Sequence, residues 1–171
     1  IETSSLLARL EAPNAPTVVL DVFEHEPRVN AELVEKVWLV TPHIAGYSLE
    51  GKVQGSEVVY QALSRYMGLP ARKKAGQFLP EPALSKLSFT SAAEEMASAN
   101  IAIRSCYDPR QDDARMRLAM ALPPEDRAQA FDRLRRDYPV RREFSSLKIQ
   151  LKGTSKSMQD TFRALGFKLK L

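Results

Sequence analysis

The sequence predicts an α/β protein: the closing βα units of a doubly wound parallel sheet, followed by a smaller α+β unit. Three observations carry that reading. Two short apolar runs, 17–22 and 37–40, are continuous rather than alternating, as in strands buried on both faces of a parallel sheet. Each follows a helical segment, which is the alternation of doubly wound sheets. Past Gly68-Leu69-Pro70 the character changes. The first 69 residues hold 5 Lys/Arg against 9 Asp/Glu, and the rest hold 20 against 12, so a net −4 gives way to +8.

The elements follow in order. Residues 3–11 read as a helix with Thr3 or Ser4 at its N-cap, and the proline-bearing stretch 12–16 as a loop. The β-branched run 17–22 is the first strand. The polar stretch 24–30 holds Pro27 and forms a loop, from which Asn30 caps a short helix to Lys36. The second strand, 37–40, stops at Thr41-Pro42. A long helix over 48–67 carries an apolar stripe of Val53, Val58, Val59, Ala62, Leu63 and Tyr66, expected to be buried. Gly51 and Gly55 weaken that helix, so close packing is expected at both. Pro70, Pro80 and Pro82 mark 70–85 as an extended connector. Then come a strand at 87–90, a helix capped by Ser91 to about Tyr107, and a helix opened by Asp108-Pro109. Another opens at Pro123-Pro124. An alternating strand covers 144–151, a helix closed by Gly166 covers 155–165, and Phe167, Leu169 and Leu171 alternate in a last strand.

Composition bounds the function. With 44% hydrophobic and 27% charged residues, 171 residues make one ordinary domain or two small ones. No apolar run approaches the roughly 20 residues of a membrane span. Cys106 is the sole cysteine, so no intrachain disulfide forms, and a cytoplasmic setting is expected. It shares an apolar stripe with Ile103 and reads as an inert thiol. No further Cys or His stands at metal-ligand spacing, so no metal site is expected. The chain opens at Ile1 directly into a helical pattern without a signal peptide, and a fragment of a longer protein is expected. Arg127, Arg133, Arg135, Arg136, Arg141 and Arg142 would suit a nucleic-acid backbone. Asp126, Asp132, Asp137 and Glu143 interleave with them, however, and a solvated face with no nucleic-acid partner is the expectation.

Ligands of doubly wound sheets bind just outside the carboxyl ends of the strands. Asp21 ends the first strand and His43 follows the second, so two polar groups fall on one edge. An imidazole titrates near neutrality and suits proton transfer. Leu20-Asp21-Val22-Phe23-Glu24-His25-Glu26-Pro27 and Thr41-Pro42-His43-Ile44-Ala45-Gly46-Tyr47-Ser48 resemble the paired signatures of D-isomer-specific 2-hydroxyacid dehydrogenases. The string from His43 to Lys52, with Tyr107 to Asp113 and Arg141 to Phe144, resembles a branch of that family acting on a phosphorylated hydroxy acid. The likeness runs from Leu6 to the C-terminus.

That resemblance implies a Rossmann-type NAD-binding domain ending at 47, a crossover helix toward a substrate domain over 48–69, a linker over 70–85, and a dimerisation domain over 86–171 that makes a homodimer. It implies His43 as proton donor and acceptor with Glu26 as its carboxylate partner. It places Asp21 and Gly46 at NAD and Tyr47 on the substrate. His25 is expected to be incidental and Glu24 a solvated loop charge. The family's substrate-clamping arginine and Gly-rich pyrophosphate loop are expected upstream of Ile1, leaving the chain inactive by itself. Another D-2-hydroxyacid dehydrogenase, or a non-catalytic dimerisation or nucleic-acid module, remains the alternative.

Overall fold

The computed structural model describes residues 1–170. In chain order its elements are α1 (Thr3–Glu11), β1 (Val19–Leu20), α2 (Ala31–Lys36), β2 (Leu39–Val40), α3 (Leu49–Tyr66), β3 (Lys86–Thr90), α4 (Glu95–Cys106), α5 (Pro109–Met120), α6 (Pro124–Arg136), β4 (Lys148–Lys152), α7 (Lys156–Ala164) and β5 (Lys168–Lys170). Single 3₁₀ turns cover Ala75–Gln77 and Phe144–Ser146. Leu171, expected in the last strand, lies outside the described residues. Two compact units form: Ile1–Ala45 with Asp108–Pro139, and Gly46–Tyr107 with Val140–Leu171. They interleave along the chain, so α5 and α6 belong with the N-terminal stretch, not with the linear range 86–171.

In the first unit β1 and β2 pair in parallel, Val19 with Leu39 and Leu20 with Val40. Val18 and Leu20 pack on a core of Leu6, Leu33, Val34, Val40, Met116 and Phe131. Val19 is 57% exposed, so β1 is covered on one face, not on both as its continuous apolar run suggested. Helix α2 begins as expected, with the Asn30 side chain accepting from the Leu33 amide at 2.8 Å. Helix α1 does not: neither Thr3 nor Ser4 caps it, and the Thr3 amide donates instead to Glu24 at 2.8 Å.

Helix α5 closes the outer edge of β2 with side chains. The Val40 amide donates to Asp113 Oδ1 at 2.9 Å, and Arg117 donates to the carbonyls of Val34 at 2.7 Å and Val37 at 2.9 Å. Arg117 also pairs with Asp113 at 2.9 Å. An exposed strand edge is a liability, and Asp113 satisfies the Val40 amide there, while Arg117 satisfies carbonyls at the C-terminal end of α2. Arg117→Met keeps the aliphatic stem but removes the donors. We expect a loss of about 1–3 kcal/mol in urea unfolding. A change within about 0.5 kcal/mol, as for an ordinary surface site, would show that the end of α2 needs no such donors.

In the second unit β4 lies between β3 and β5, all parallel, with Leu87, Ile149 and Leu169 in register. Parallel neighbours require crossovers. Helix α7 supplies one, from the Ser155 cap to Gly166, whose φ of +87° suits a residue without a Cβ. The unit is therefore built of parallel strands and crossovers, where segregated α+β layering was expected. Ile149 and Leu151 alternate inward onto Ala102, Met158, Phe162 and Phe167. The Phe144 and Phe167 rings stack 4.8 Å apart. Helix α4 is capped by Glu94 rather than Ser91; its carboxylate accepts from the Met96 and Ala97 amides. On α3, Val58, Val59, Leu63 and Tyr66 stay exposed, Tyr66 at 90%, so the stripe expected to be buried is uncovered within its unit.

Candidate active site

The site in the first unit is built on the turn after β2. Parallel pairing continues one residue past the strand, with the Thr41 amide on the Leu20 carbonyl at 2.9 Å. Asp21, directly after β1, then gathers the turn. Its Oδ1 accepts from the Thr41 hydroxyl at 2.6 Å and the Ile44 amide at 2.8 Å, and its Oδ2 from the Ala45 amide at 3.1 Å. Within this cradle His43 adopts φ +54°. That left-handed conformation costs an L-residue about 1–2 kcal/mol, and the bonds to Asp21 hold it. The sequence reading placed Asp21 at a cofactor; its role as a turn clamp was missed, though its position after a strand was the available signal.

Glu26 is brought to His43 across the intervening loop and helix. Its Oε1 accepts the Phe23 amide at 2.8 Å, and its Oε2 lies 2.7 Å from His43 Nδ1. The Glu26 side chain is 17% exposed and that of His43 43%. The Phe23 ring, buried edge-on against Phe131 of α6 at 6.2 Å, anchors the loop that carries Glu26. A carboxylate can only accept, so a neutral imidazole here carries its proton on Nδ1 and presents a lone pair at Nε2. Among the described residues Nε2 has no hydrogen-bond partner. This is the arrangement of a general base oriented by a carboxylate.

The His25 side chain is three-quarters exposed and lies 3.7 Å from Glu24. Glu24 is more than a solvated charge. The Thr3 amide, first through its backbone hydrogen bond, holds its carboxyl below the usual range.

Gly46 and Tyr47 fall in the second unit. A Cβ at Gly46 would meet nothing within 4 Å. The Lys52 ammonium sits 4.1 Å from the centroid of the Tyr47 ring. Ser48 caps α3, accepting the Gly51 amide at 3.1 Å. A Cβ at Gly51 would lie 2.8 Å from that Ser48 oxygen, whereas at Gly55 nothing lies close and the expected tight packing is not found.

The start of α3 is fastened to the segment 140–143. The Leu49 amide donates to the Arg141 carbonyl at 2.9 Å, and Glu50 accepts from Arg142 at 2.6 Å and from the Glu143 amide at 3.0 Å. Burial by itself pushes the Glu50 carboxyl up, but the Arg142 and Glu143 hydrogen bonds outweigh it and hold it below its ordinary 4.5. A depressed carboxyl contributes stability that is complete above its unfolded pKa and disappears as pH falls through the folded value. We therefore expect stability to drop below about pH 4.5, and more shallowly in Glu50→Gln, by urea titration at stepped pH. An unchanged pH slope in the variant would refute this. Nearby, burial first and then Glu50 and Glu143 raise the Cys106 thiol, which keeps it protonated, in line with an inert role.

The chain belongs to the family described as Domain of unknown function (DUF3410), whose model matches residues 78–166. It is 72% identical over 171 residues to the erythronate-4-phosphate dehydrogenase of Marinobacter nauticus, covering all of this chain and 44% of that protein. Against the erythronate-4-phosphate dehydrogenase of Hahella chejuensis it is 46% identical over 169 residues, covering 99% of this chain and 44% of that protein. With the one from Chromohalobacter salexigens it shares 42% over 174 residues, again all of this chain and 44% of that protein. The chain thus spans less than half the length of the curated relatives it matches, their C-terminal part. The dehydrogenase resemblance carried by the two motifs is borne out by these relatives. No helix among the described residues is long and apolar enough to cross a membrane.

Proposed function

We propose that this chain is the C-terminal part of a cytoplasmic NAD-dependent dehydrogenase. It would oxidise 4-phospho-D-erythronate to 2-oxo-3-hydroxy-4-phosphobutanoate in pyridoxal phosphate (vitamin B6) synthesis. The observation that carries this reading is the 2.7 Å contact between His43 Nδ1 and Glu26 Oε2, which leaves Nε2 as the base. Oxidising a secondary alcohol releases a hydride and a proton. His43 Nε2 takes the hydroxyl proton, and Glu26 stabilises the imidazolium that forms. In the reverse direction the same nitrogen returns the proton to the carbonyl oxygen.

A bound NAD supplies the hydride acceptor. Two features of this chain fit it. Asp21 stands at the carboxyl end of a parallel strand, where ligands of such sheets bind, and no Cβ stands in the way of an approach to the Gly46 backbone. The Tyr47 hydroxyl would hydrogen-bond the substrate. These 171 residues contain no Gly-x-Gly string, so the pyrophosphate loop must come from elsewhere in a longer chain, and the present chain alone is proposed to be inactive. The longer protein is proposed to form a homodimer through its C-terminal part; a single monomeric species in sedimentation at high micromolar concentration would dismiss that.

The deciding assay follows NADH formation by a protein of the relatives' full length. Turnover of 4-phospho-D-erythronate is expected. Turnover of a different 2-hydroxy acid alone would overturn the substrate, and no NAD-dependent turnover of any would overturn the reaction class.

A further inference from the structure

We infer that Lys52 is a specificity-determining residue that recognises the phosphate of the substrate beside Tyr47. The inference rests on the reading of the chain as part of a dehydrogenase for a phosphorylated hydroxy acid, and adds a residue which that reading does not contain.

Lys52 occupies the fourth position of α3, an 18-residue helix. A cation is disfavoured in a first turn, where the helix macrodipole is positive. The residue before a helix cap and the fourth helical residue commonly form an apolar staple. Here those two positions are Tyr47 and Lys52, and an ammonium 4.1 Å from the ring centroid replaces the apolar contact. Two cations close to this helix are neutralised, Arg142 by Glu50 at 2.6 Å and Lys74 by Glu57 at 3.5 Å. Among the described residues the Lys52 ammonium makes no ion pair, and it meets the Tyr47 ring.

A local rule broken without an internal compensation points to a site whose counterpart is a ligand. Cation–π contact made by an exposed lysine is worth only about 0.5–1 kcal/mol and leaves the N–H donors of the ammonium available. The ring therefore fixes where the charge stands without consuming it. A compact ammonium with three donors suits a phosphate bound as a point charge. Tyr47 and Lys52 together would hold a phosphorylated end of the substrate, the tyrosine by its hydroxyl and the lysine by its charge.

The test compares kcat/KM for 4-phospho-D-erythronate and unphosphorylated D-erythronate in the full-length protein, with NAD saturating. Lys52→Gln is expected to lower the preference for the phosphorylated acid about 10- to 100-fold, the size of a lost charge-assisted hydrogen bond, chiefly through KM. Lys52→Arg should keep most of the preference, and inorganic phosphate should inhibit the wild type competitively and Lys52→Gln much less. An equal loss on both substrates, which would mean that Lys52 only steadies Tyr47, overturns the inference, as does an unchanged preference. Wild-type turnover of the phosphorylated acid bears on the reaction itself. If that succeeds and the Lys52 variants behave like wild type, only the inference falls; a wild type with no preference for phosphate overturns both.

Discussion

Replacing His43 is expected to lower kcat for the proposed hydroxy-acid oxidation by about 10²- to 10⁴-fold in the full-length protein, the usual size of a lost general base. The choice of variant matters because His43 sits at φ +54°. Asparagine tolerates that region well, whereas alanine adds backbone strain. His43→Asn is therefore the cleaner substitution, and His43→Ala should show the same loss of turnover with a somewhat lower melting temperature. Neither removes a core side chain, since the imidazole is 43% exposed and only its Nδ1 is engaged. KM for the hydroxy acid should change far less than kcat, because the proton is transferred in the transition state. Steady-state kinetics with folding checked by circular dichroism decides it. A variant that keeps more than about a tenth of wild-type kcat would remove His43 from proton transfer.

Glu26→Gln is the second large effect, through a different cause. Glutamine keeps the length of the side chain and can still accept the Phe23 amide through its carbonyl oxygen. The group then facing His43 Nδ1 is an amide NH₂, which donates. The imidazole must turn its lone pair to Nδ1 and carry the proton on Nε2, the wrong tautomer for a base. In serine proteases the equivalent acid-to-amide change costs about 10⁴ in kcat, so about 10²- to 10⁴-fold is expected here. Nitrogen NMR shifts of His43 read the tautomer directly. Full activity with a switched tautomer, or a loss below about fivefold, would make Glu26 a loop anchor only.

Much of the site was legible because its signals are short-range. The two motifs name His43 and Glu26, and continuous apolar runs put Asp21 and the Thr41–Ala45 turn at strand ends. Less legible were interactions between segments far apart in sequence. That Asp21 binds the turn carrying His43, that Glu24 serves the start of α1, and that Arg142 holds Glu50 are facts of tertiary contact. Helices α5 and α6 are legible as helices from the prolines that open them, yet they group with the N-terminal stretch in one compact unit, because a helix start does not state which surface will cover the helix.

The sequence by itself therefore determined the order of helices and strands, the helix cap at Asn30, and the residue types fit for proton transfer. These depend on backbone preference and side-chain chemistry within a few positions, as at Asn30. Tertiary structure alone decided that Glu26 Oε2 meets His43 Nδ1 at 2.7 Å, that Phe131 braces the loop carrying that carboxylate, and that α5 seals the edge of β2. The physical reason is that burial and hydrogen-bond satisfaction are settled between surfaces brought together by the whole fold.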